Sequence, residues 1–575
     1  MSKSVKFFVI PLLAAGMLFT ACERKPAVRF AVVSDTHFGH ATAREKVSRS
    51  LKVLFGKQPA IDALFVVGDL TDNGKVEQYE QFVSVFSDRS LIPEGVALYF
   101  MLGNNHDRTR EDGKDFFMEK TGQPLRHSVD IKGYPFIAFS EGGGGPNDYN
   151  REVGQWLAEA MARAAEQYPG KPVFVFSHEP PLNTCYGSSA SEGWGTDLFL
   201  PVYNRYPQAV VFGGHSHFPI GDPRSIHQGI FTAVNDGSLY YSEIAPGEVD
   251  EGIHPPGHGD VLEGLIVNVM PDGRVEIERW DTFRDEEILP RWVIEAPHDG
   301  SRFTYRDRNG LPAPVFDSDA VLTGRADGNA YEVTFPQASD NEVVFKYYID
   351  FLEGDRTVYS FSIFSQFYLN SDMPKQLTRR FSGLPYGKTL TVRVTAADSY
   401  DNRSVPLTGE TFTVPLHSPD AGVRAPSAIR KVDPEACRDA FSFEARFTAG
   451  NERKRISPFE TPAGDDTGFE QTEDGRLAFH IRMGRRSGSV RCPVVLRQGQ
   501  AYHAVATYEK QTGKVRLYVD GAPVGEENVG TDDTPVFPDA PLLLRPEGLD
   551  TTFIRMYDRA LVHDEIYLLA GNANR

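Results

Sequence analysis

The sequence predicts an α/β domain followed by two all-β domains. From residue 28 to about 292, apolar strand-like runs alternate with stretches of helical spacing, a pattern typical of stacked βαβ units. From about residue 312 to 414 the pattern becomes β-only, and the region from 423 onwards is again β-rich. A chain of 575 residues is longer than one hydrophobic core usually serves, so about three domains are expected.

The first region contains five predicted strands and three predicted helices. The strands are residues 28–34, 63–68, 97–102, 172–177 and 209–213, and the helices are residues 43–55, 76–86 and 152–165. In α/β sheets the reactive groups gather beyond the carboxyl ends of the strands. Each predicted strand ends in a cluster that contains Asp, Asn or His, which indicates a functional site at this edge.

These strand-end clusters carry the groups that bind metals. They are Asp35-Thr36-His37, Gly68-Asp69-Leu70-Thr71-Asp72, Gly103-Asn104-Asn105-His106-Asp107, Ser177-His178 and Gly213-Gly214-His215-Ser216-His217. Carboxylate, imidazole and amide groups together suit Mn, Fe, Zn, Ni or Co better than Mg or Ca. A single buried His or Asp is more often a structural hydrogen-bonding residue, but five clusters at strand ends favour a metal site. Two such ions about 3.5–4 Å apart can activate a hydroxide for attack on phosphorus.

In this order, the five clusters resemble the calcineurin-like metallophosphoesterase superfamily. The resemblance covers roughly the first half of the chain after residue 21, and it implies a four-layer αββα sandwich that hydrolyses a phosphomonoester or phosphodiester. It implies two divalent or trivalent transition metal ions, one held by Asp35, His37 and His217, the other by Asn105, His178 and His215. Asp69 would bridge the two ions. His106 would protonate the departing alkoxide or steady the phosphate oxygens, and Asp72 would orient His106.

The doubled asparagine departs from the family pattern, which is usually Gly-Asn-His-Asp or Gly-Asn-His-Glu. Alignment without a gap puts Asn104 in the glycine position and Asn105 in the ligand position. Asn tolerates the left-handed backbone conformation that such a position can require. Asn104 remains the alternative ligand. Asp72 and His37 stand where the purple acid phosphatases carry Tyr and Gly, so a tyrosinate–iron site is not expected.

The two β regions also resemble known modules. Residues 383–402 resemble the second half of a fibronectin type III domain, which would span residues 312–415. Residues 502–508, 515–521 and 554–561 resemble, in this order, strands of a laminin-G-like (concanavalin-type) jelly roll spanning residues 423–575. Such modules would bind a glycan or protein ligand or target the enzyme, although β-sandwiches host many unrelated functions.

The N-terminus has the features of an export signal. Lys3 and Lys6 precede an apolar run at residues 7–21, which is too short for an ordinary spanning helix. The segment resembles a bacterial lipoprotein signal at residues 1–21, with Cys22 as the lipidated residue, and a plain signal peptide is the alternative. We therefore expect an exported lipoprotein that is anchored to the membrane by its lipid, in the outer membrane and periplasm or at the cell surface.

Cysteine use and charge set further limits. Cys437 and Cys492 lie in the same C-terminal region and could pair in an oxidising compartment, whereas Cys185 is expected to be a small buried side chain. The formal net charge of −19 argues against a nucleic-acid partner, because such binding needs a basic surface.

Together these observations favour an exported phosphoesterase whose catalytic domain spans residues 27–295. The alternative is a surface lipoprotein that binds a glycan or a partner and carries a weakly active or inactive phosphoesterase domain.

Overall fold

The computed structural model describes residues 25–573, except for 58–59, 104–106, 108–112, 143–145, 307–310, 421, 429–436, 457–466, 485 and 537–549. The predicted signal segment, its Cys22, and Asn104, Asn105 and His106 therefore lie outside the described residues. In the part of the chain that is described, no helix has the length and apolar character needed to cross a bilayer.

The N-terminal region is an α/β domain. Its strands are β1 (Val28–Val33), β2 (Ala63–Val67), β3 (Ala97–Met101), β4 (Arg126–Ile131), β5 (Tyr134–Phe139), β6 (Val173–Phe176), β7 (Ala209–Gly213), β8 (Ile226–Gln228), β9 (Thr232–Asn235), β10 (Glu263–Val269), β11 (Val275–Asp281) and β12 (Glu286–Ile294). Its helices are α1 (Ala43–Lys57), α2 (Val76–Phe86), α3 (Gly113–Thr121), α4 (Asp148–Gln167) and the short α5 (Leu200–Tyr203).

These strands form two mixed sheets of six strands each, in the orders β12-β11-β10-β1-β2-β3 and β4-β5-β6-β7-β9-β8. Alternate residues of β1 point to opposite faces, as the pleat of a strand requires. Val28, Phe30 and Val32 belong to a cluster with residues of the second sheet, whereas Ala31 and Val33 belong to a cluster with α1, α2 and α3. Helices α4 and α5 cover the outer face of the second sheet. The layers are therefore helix, sheet, sheet and helix, as the resemblance to the calcineurin-like superfamily implies.

Aromatic rings fill the space between the two sheets. The ring of Phe30 lies 5.1 Å from that of Phe136 and 4.9 Å from that of Phe174, edge to face in both pairs. Phe65 stacks on Phe176 with centroids 3.9 Å apart. Such pairs contribute about 0.5–1.5 kcal/mol each beyond the area that they bury. This packing holds the carboxyl ends of β1 and β2 next to those of β6 and β7.

The five predicted strands and three predicted helices are all present, but the sheets are not built from βαβ units alone. Strand β10 pairs antiparallel with β1, so that Val269 lies opposite Val28, and β11 and β12 continue outwards by antiparallel pairing. Helix α4 begins at Asp148, several residues before its predicted start, because the Asn147 side chain caps it by accepting a hydrogen bond from the Asn150 amide at 2.8 Å.

The described residues of the rest of the chain form mainly antiparallel β structure, with an α-helix near the C-terminus. Its strands are β13 (Thr323–Asp327), β14 (Ala330–Pro336), β15 (Val344–Glu353), β16 (Arg356–Phe364), β17 (Gln376–Phe381), β18 (Thr389–Asp398), β19 (Leu407–Thr413), β20 (Ala440–Thr448), β21 (Lys454–Ile456), β22 (Gly468–Gln471), β23 (Arg476–Met483), β24 (Arg486–Val495), β25 (Ala501–Glu509), β26 (Lys514–Val519), β27 (Ala522–Asn528) and β28 (Asp550–Tyr557). The helix is α6 (His563–Ala573).

The two β regions are joined to each other through one sheet. The eight-stranded sheet runs β19-β18-β15-β16-β24-β23-β22-β21, and Tyr359 of β16 pairs with Val494 of β24 at the junction. One hydrophobic cluster extends from Leu322 to Met556 and includes residues of both regions. The two regions therefore share an uninterrupted core. The likeness of residues 312–415 to fibronectin type III stays a prediction.

Cys437 and Cys492 do not form the disulfide that the sequence left open. Both belong to the described residues, and both sulfurs are thiols buried in the shared hydrophobic cluster. Burial raises the pKa of the Cys492 thiol to about 12. Because disulfide exchange needs a thiolate, this side chain behaves as a small apolar group. Cys185 is buried, as predicted.

Glu263 of β10 gives the N-terminal domain a pH-dependent stability. Its carboxylate accepts a hydrogen bond from the Ile220 amide at 2.9 Å, and burial raises its pKa to about 8. A raised carboxyl pKa stabilises the fold below the unfolded-state value, and this contribution is lost as the pH rises through the folded-state value. We expect a loss of about 1.4 kcal/mol for each pH unit between about pH 5 and pH 8.

Glu263→Gln should remove this dependence, because an amide does not titrate. The measurement is the difference in thermal midpoint between wild type and variant at about pH 5.5 and about pH 7.5. The thermal midpoint of the variant should increase relative to that of the wild type as the pH rises. Glu276→Gln on the neighbouring β11, a partly exposed residue paired with Arg274, serves as the control. If the difference in thermal midpoint between Glu263→Gln and the wild type is the same at both pH values, the prediction is wrong.

Candidate metal centre

The loops that follow β1 and β2 are bonded together through their backbones. The Asp35 amide donates to the Gly68 carbonyl at 3.1 Å, and the amides of Thr36 and His37 donate to the Asp69 carbonyl at 2.9 and 3.1 Å. Because the parallel strands end side by side, their first loop residues meet at the same edge of the sheet. Asp35, His37 and Asp69 are positioned by this shared backbone.

Several predicted ligands adopt a left-handed backbone. The φ angles are 53° at Asp35, 44° at His37, 45° at Asp69, 67° at His215 and 56° at His217. A non-glycine residue in this region costs about 1–3 kcal/mol and tends to occur where the surrounding structure needs it for function. Here the conformation turns side chains from successive strand ends towards one point.

The first group of convergent side chains contains Asp35, His37, Asp69 and His217. They are all buried, and their ligand atoms lie within 4.8 Å of one another. The Nε2 atoms of His37 and His217 are 3.1 Å apart, and the Nε2 atom of His217 lies 3.1 Å from Oδ1 of Asp35. Two imidazole nitrogens at this distance cannot both carry a proton comfortably, whereas a shared cation suits them.

The second group contains Asp69, His178 and His215, again with ligand atoms within 4.8 Å. The Nε2 atom of His178 lies 3.4 Å from Oδ1 of Asp69, and the rings of His178 and His215 are 4.8 Å apart. Asp69 belongs to both groups. This is the position expected of a bridging ligand.

Backbone carbonyls orient two of the imidazoles. Nδ1 of His178 lies 2.8 Å from the Val67 carbonyl, and Nδ1 of His217 lies 3.2 Å from the Tyr241 carbonyl. In each ring Nδ1 is the donor, so in the neutral form the lone pair is on Nε2. Metal-binding histidines are usually held in this way by an acceptor on their other nitrogen.

The electrostatics keep the carboxylates charged. Burial would raise the pKa of Asp35, but the nearby imidazoles of His217 and His178 together outweigh it and lower that pKa to about 2. The pKa of Asp69 is likewise lowered, because the imidazoles of His178, His37 and His215 together overcome the effect of burial. Burial and the neighbouring His178 lower the pKa of His215 to about 3, which leaves its imidazole neutral. Ionised carboxylates and a neutral imidazole are the states that bind a metal cation.

Two buried atoms test whether a metal fits. Oδ1 of Asp35 and Nε2 of His178 make no well-formed hydrogen bond among the described residues, although Nε2 of His217 and Oδ1 of Asp69 lie 3.1 and 3.4 Å from them. Buried polar atoms are rarely left in this state, since each costs about 1–3 kcal/mol. Both atoms belong to the convergent groups, so cations there would satisfy them. The donor set of carboxylates and imidazoles fits two transition metal ions.

The ligands are supported by three further residues, to which the sequence analysis gave no role: Asp107, Ser34 and Asp236. The Asp107 carboxylate accepts hydrogen bonds from the amides of Leu70 at 3.0 Å, Thr71 at 2.8 Å and Gly103 at 2.9 Å. It thereby joins the loop after β2 to the loop after β3. Its place at the end of the third cluster was the signal that could have revealed it.

Ser34 and Asp236 hold Asp35 from the side opposite the imidazoles. The Ser34 hydroxyl lies 2.5 Å from Oδ2 of Asp35 and 2.6 Å from Oδ1 of Asp236. The His215 amide donates to the same Oδ2 at 3.0 Å. Asp236 follows β9, a strand that the sequence analysis did not predict.

An aromatic and histidine-rich wall flanks the first group. The ring of Tyr241 lies 4.4 Å from that of His217, and Tyr240 stacks on His40 at 4.7 Å. Nε2 of His254 lies 3.3 Å from Glu243. The sequence offered no periodicity to mark these loop residues.

His40 is also a partner of Asp72. Its Nε2 atom lies 2.9 Å from Oδ1 of Asp72, whose Oδ2 accepts from the Asn73 side chain at 2.9 Å. The expected contact of Asp72 with His106 falls outside the described residues and stays a prediction.

The structure thus brings together most of the predicted ligands. These are Asp35, His37, Asp69, His178, His215 and His217. The contribution of Asn105, or of Asn104 in its place, and the acid role of His106 concern residues that the structure does not describe.

Comparisons with known proteins agree with this organisation. Residues 28–219 match the calcineurin-like phosphoesterase family, and residues 427–567 match the concanavalin A-like lectin/glucanases superfamily. Both predicted likenesses are thereby confirmed. The fibronectin type III likeness and the lipoprotein signal stay predictions. No curated protein matches the chain.

Three solved structures that are similar to parts of this chain have low sequence identity to it. GAP50, the anchor in the inner membrane complex of Plasmodium, is 12% identical with a TM-score of 0.34, and the match covers 49% of this chain and 92% of that chain. A SAP-like pentraxin from Limulus polyphemus is 16% identical with a TM-score of 0.18, over 25% of this chain and 73% of that chain. The CBM40 of a Ruminococcus gnavus sialidase is 9% identical with a TM-score of 0.18, and the match covers 26% of this chain and 96% of that chain.

Gly103 leaves room for the shared carboxylate, and its substitution tests the arrangement. A Cβ atom at this position would collide with the side chain and backbone of Asp69. Gly103→Ala should therefore displace Asp69 and weaken metal retention by about 10- to 100-fold. The measurement is metal content per chain after dialysis against a weak chelator.

The matched control is Gly56→Ala in α1, where an added Cβ would meet nothing within 4 Å. It should bind metal like the wild type. Equal metal content in the two variants would contradict the placement of Asp69.

Proposed function

Because the chain carries a calcineurin-like phosphoesterase domain and a C-terminal laminin G/concanavalin-like domain, we propose that it is an exported hydrolase of a phosphomonoester or a phosphodiester. The observation that carries the proposal is the convergence of two groups of buried or partly buried Asp and His side chains on a shared Asp69. Six residues from four strand-end loops supply these groups, which a purely structural role would not require.

We assign a separate role in the proposed reaction to each of these residues. Two transition metal ions in these groups would lower the pKa of a water molecule and polarise the phosphoryl group. Asp35, His37 and His217 would hold one ion, and His178 and His215, with Asn105, the other. Asp69, whose carboxylate stays ionised, would bind both ions. His106 protonates the departing alkoxide, and Asp72 orients its ring.

The wall beside the first group gives the substrate a second surface. Tyr241 lies against the ring of His217, and Trp194 lies edge to face against His215 at 5.0 Å. Both rings are partly exposed. They provide apolar faces for the ester groups of a substrate whose phosphate reaches the metal centre, and they limit the access of bulk water.

The test is hydrolysis of nitrophenyl phosphate and bis(nitrophenyl) phosphate by metal-loaded protein, with Asp69→Asn and His106→Ala. Asp69→Asn should abolish turnover with both probes, because the shared ligand loses its charge. His106→Ala should lower the rate by roughly 10²–10⁴-fold with phenyl or alkyl esters, and much less with nitrophenyl esters, which need little protonation. His480→Ala in β23, remote in sequence from every cluster, is the control.

An inert wild type with both probes between about pH 5 and pH 9 would sink this proposal. Equal losses for all leaving groups in His106→Ala would contradict the acid role alone. The runner-up function is a glycan- or partner-binding surface protein with a weakly active or inactive phosphoesterase domain. Its support is the match of residues 427–567 to a lectin superfamily. Retained metal without turnover, together with saturable oligosaccharide binding by the full chain, would favour it.

We also propose that the protein is anchored to a membrane through a lipid on Cys22. The support is the sequence alone, in which basic residues and an apolar run precede this cysteine. A bacterium that expresses the full chain should incorporate labelled fatty acid into the wild type and not into Cys22→Ser. No labelling of either protein would favour the plain signal peptide, and labelling of Cys22→Ser would contradict Cys22 as the lipidated residue.

A further inference from the structure

An irregular segment at residues 240–257, here called the wall loop, begins at the metal centre. It contains no helix or strand. The Tyr241 carbonyl accepts the hydrogen bond from His217, and the Glu243 amide and the Ser242 hydroxyl both donate to the His217 carbonyl, at 2.9 and 3.1 Å. The start of the wall loop therefore surrounds one predicted ligand.

The middle of the wall loop is bonded to the first β region. Asp250 and Ser362 of β16 exchange two hydrogen bonds, one between backbones at 2.9 Å and one from the Ser362 amide to the Asp250 carboxylate at 2.8 Å. The Phe364 amide donates to Glu251 at 2.9 Å. Arg379 of β17 contacts the same carboxylate at 3.2 Å.

The Glu251–Arg379 pair is sheltered from water. The side chain of Glu251 is 15% exposed and that of Arg379 is 29% exposed. Removing one partner from such a pair leaves a poorly solvated charge, so the loop would have to move to hydrate it. The pair is thus a strong constraint on where the loop lies.

Apolar contacts and the second β region complete the attachment. Ile244 and Val249 of the wall loop belong to one buried cluster with Phe345, Phe364 and Phe367. The Tyr368 hydroxyl donates to the Pro256 carbonyl at 3.0 Å, and Arg476 of β23 lies 3.6 Å from the Asp250 carboxylate. The wall loop is therefore held between the metal centre and both β regions.

We propose that the two β regions are part of the catalytic unit, because they fix the wall loop that places Tyr241 beside the metal centre. Glu251 and Arg379 are positioning residues in this arrangement, and they act on the substrate through the wall loop. The inference rests on the proposed phosphoesterase function. It assigns to the β regions a role in substrate binding that does not depend on any ligand of their own.

The test compares Arg379→Gln with Arg380→Gln in the metal-loaded full chain. Arg380 is the next residue of β17 and pairs with the exposed Asp327 at 2.8 Å, away from the wall loop. Arg379→Gln should raise KM for bis(nitrophenyl) phosphate by about 2- to 30-fold with a smaller change in kcat, because the wall contacts the bound ester. Metal content should stay at the wild-type level.

Two further variants separate positioning from general damage. Arg379→Lys should recover part of the wild-type KM, because it restores the charge. Glu251→Gln should match Arg379→Gln, and the double variant should lose little more, because both substitutions break the same pair. Amide hydrogen exchange at residues 241–251 should be faster in Arg379→Gln and unchanged in Arg380→Gln.

Wild-type KM and kcat in Arg379→Gln would overturn this inference, whether or not exchange in the wall loop is faster. So would a fall in kcat and a rise in KM that are the same in Arg380→Gln. An inert wild type is a different result, since it overturns the proposed phosphoesterase function and this inference with it. An active wild type with an unaffected Arg379→Gln overturns the inference alone.

Discussion

The burial of two carboxylates, Asp35 and Asp69, is the constraint on which the rest of the structure depends. Their side chains are almost inaccessible to water, and an ionised carboxylate in such a place costs several kcal/mol unless it is compensated. The compensation comes from imidazoles on one side and from Ser34 and backbone amides on the other. The strained loop conformations and the glycine at position 103 follow from the need to bring these groups so close. These conformations and buried charges lower the local stability, and they produce a site of high negative charge.

The two-sheet architecture makes this compensation possible. Asp35 and Asp69 come from one sheet, whereas His178, His215 and His217 come from the other. The two sets meet only because the aromatic layer around Phe30 and Phe65 keeps the sheets at a fixed separation. A shift of one sheet by a fraction of a residue would separate the carboxylates from their imidazoles. The core between the sheets therefore sets the geometry of the site as much as the loops do.

Local patterns in the sequence predicted the helices and the ends of the strands, because short stretches of residues determine them. The helix at residues 76–86 and the strand-end positions of Asp35 and His178 could be predicted because periodicity and chain order determine them. The antiparallel return of β10 beside β1 could not, because alternation shows that a strand exists and not which strand it pairs with. Tyr241 and Glu251 were missed for a related reason. Their roles arise from contacts between distant segments, and their loop has no periodicity.

The pairing of Tyr359 with Val494, at the junction of the two β regions, has a consequence for geometry. Among the described residues, a shared sheet and a common core join these regions, and hydrogen bonds of the wall loop connect them to the candidate metal centre. Any molecule held on the C-terminal jelly roll would therefore sit at a constant distance and angle from the phosphoester site. The length and shape of that molecule would decide which of its bonds reaches the metals. The fixed distance between the two sites would then select substrates by their length, whereas a flexible linker would allow bonds at many distances to react.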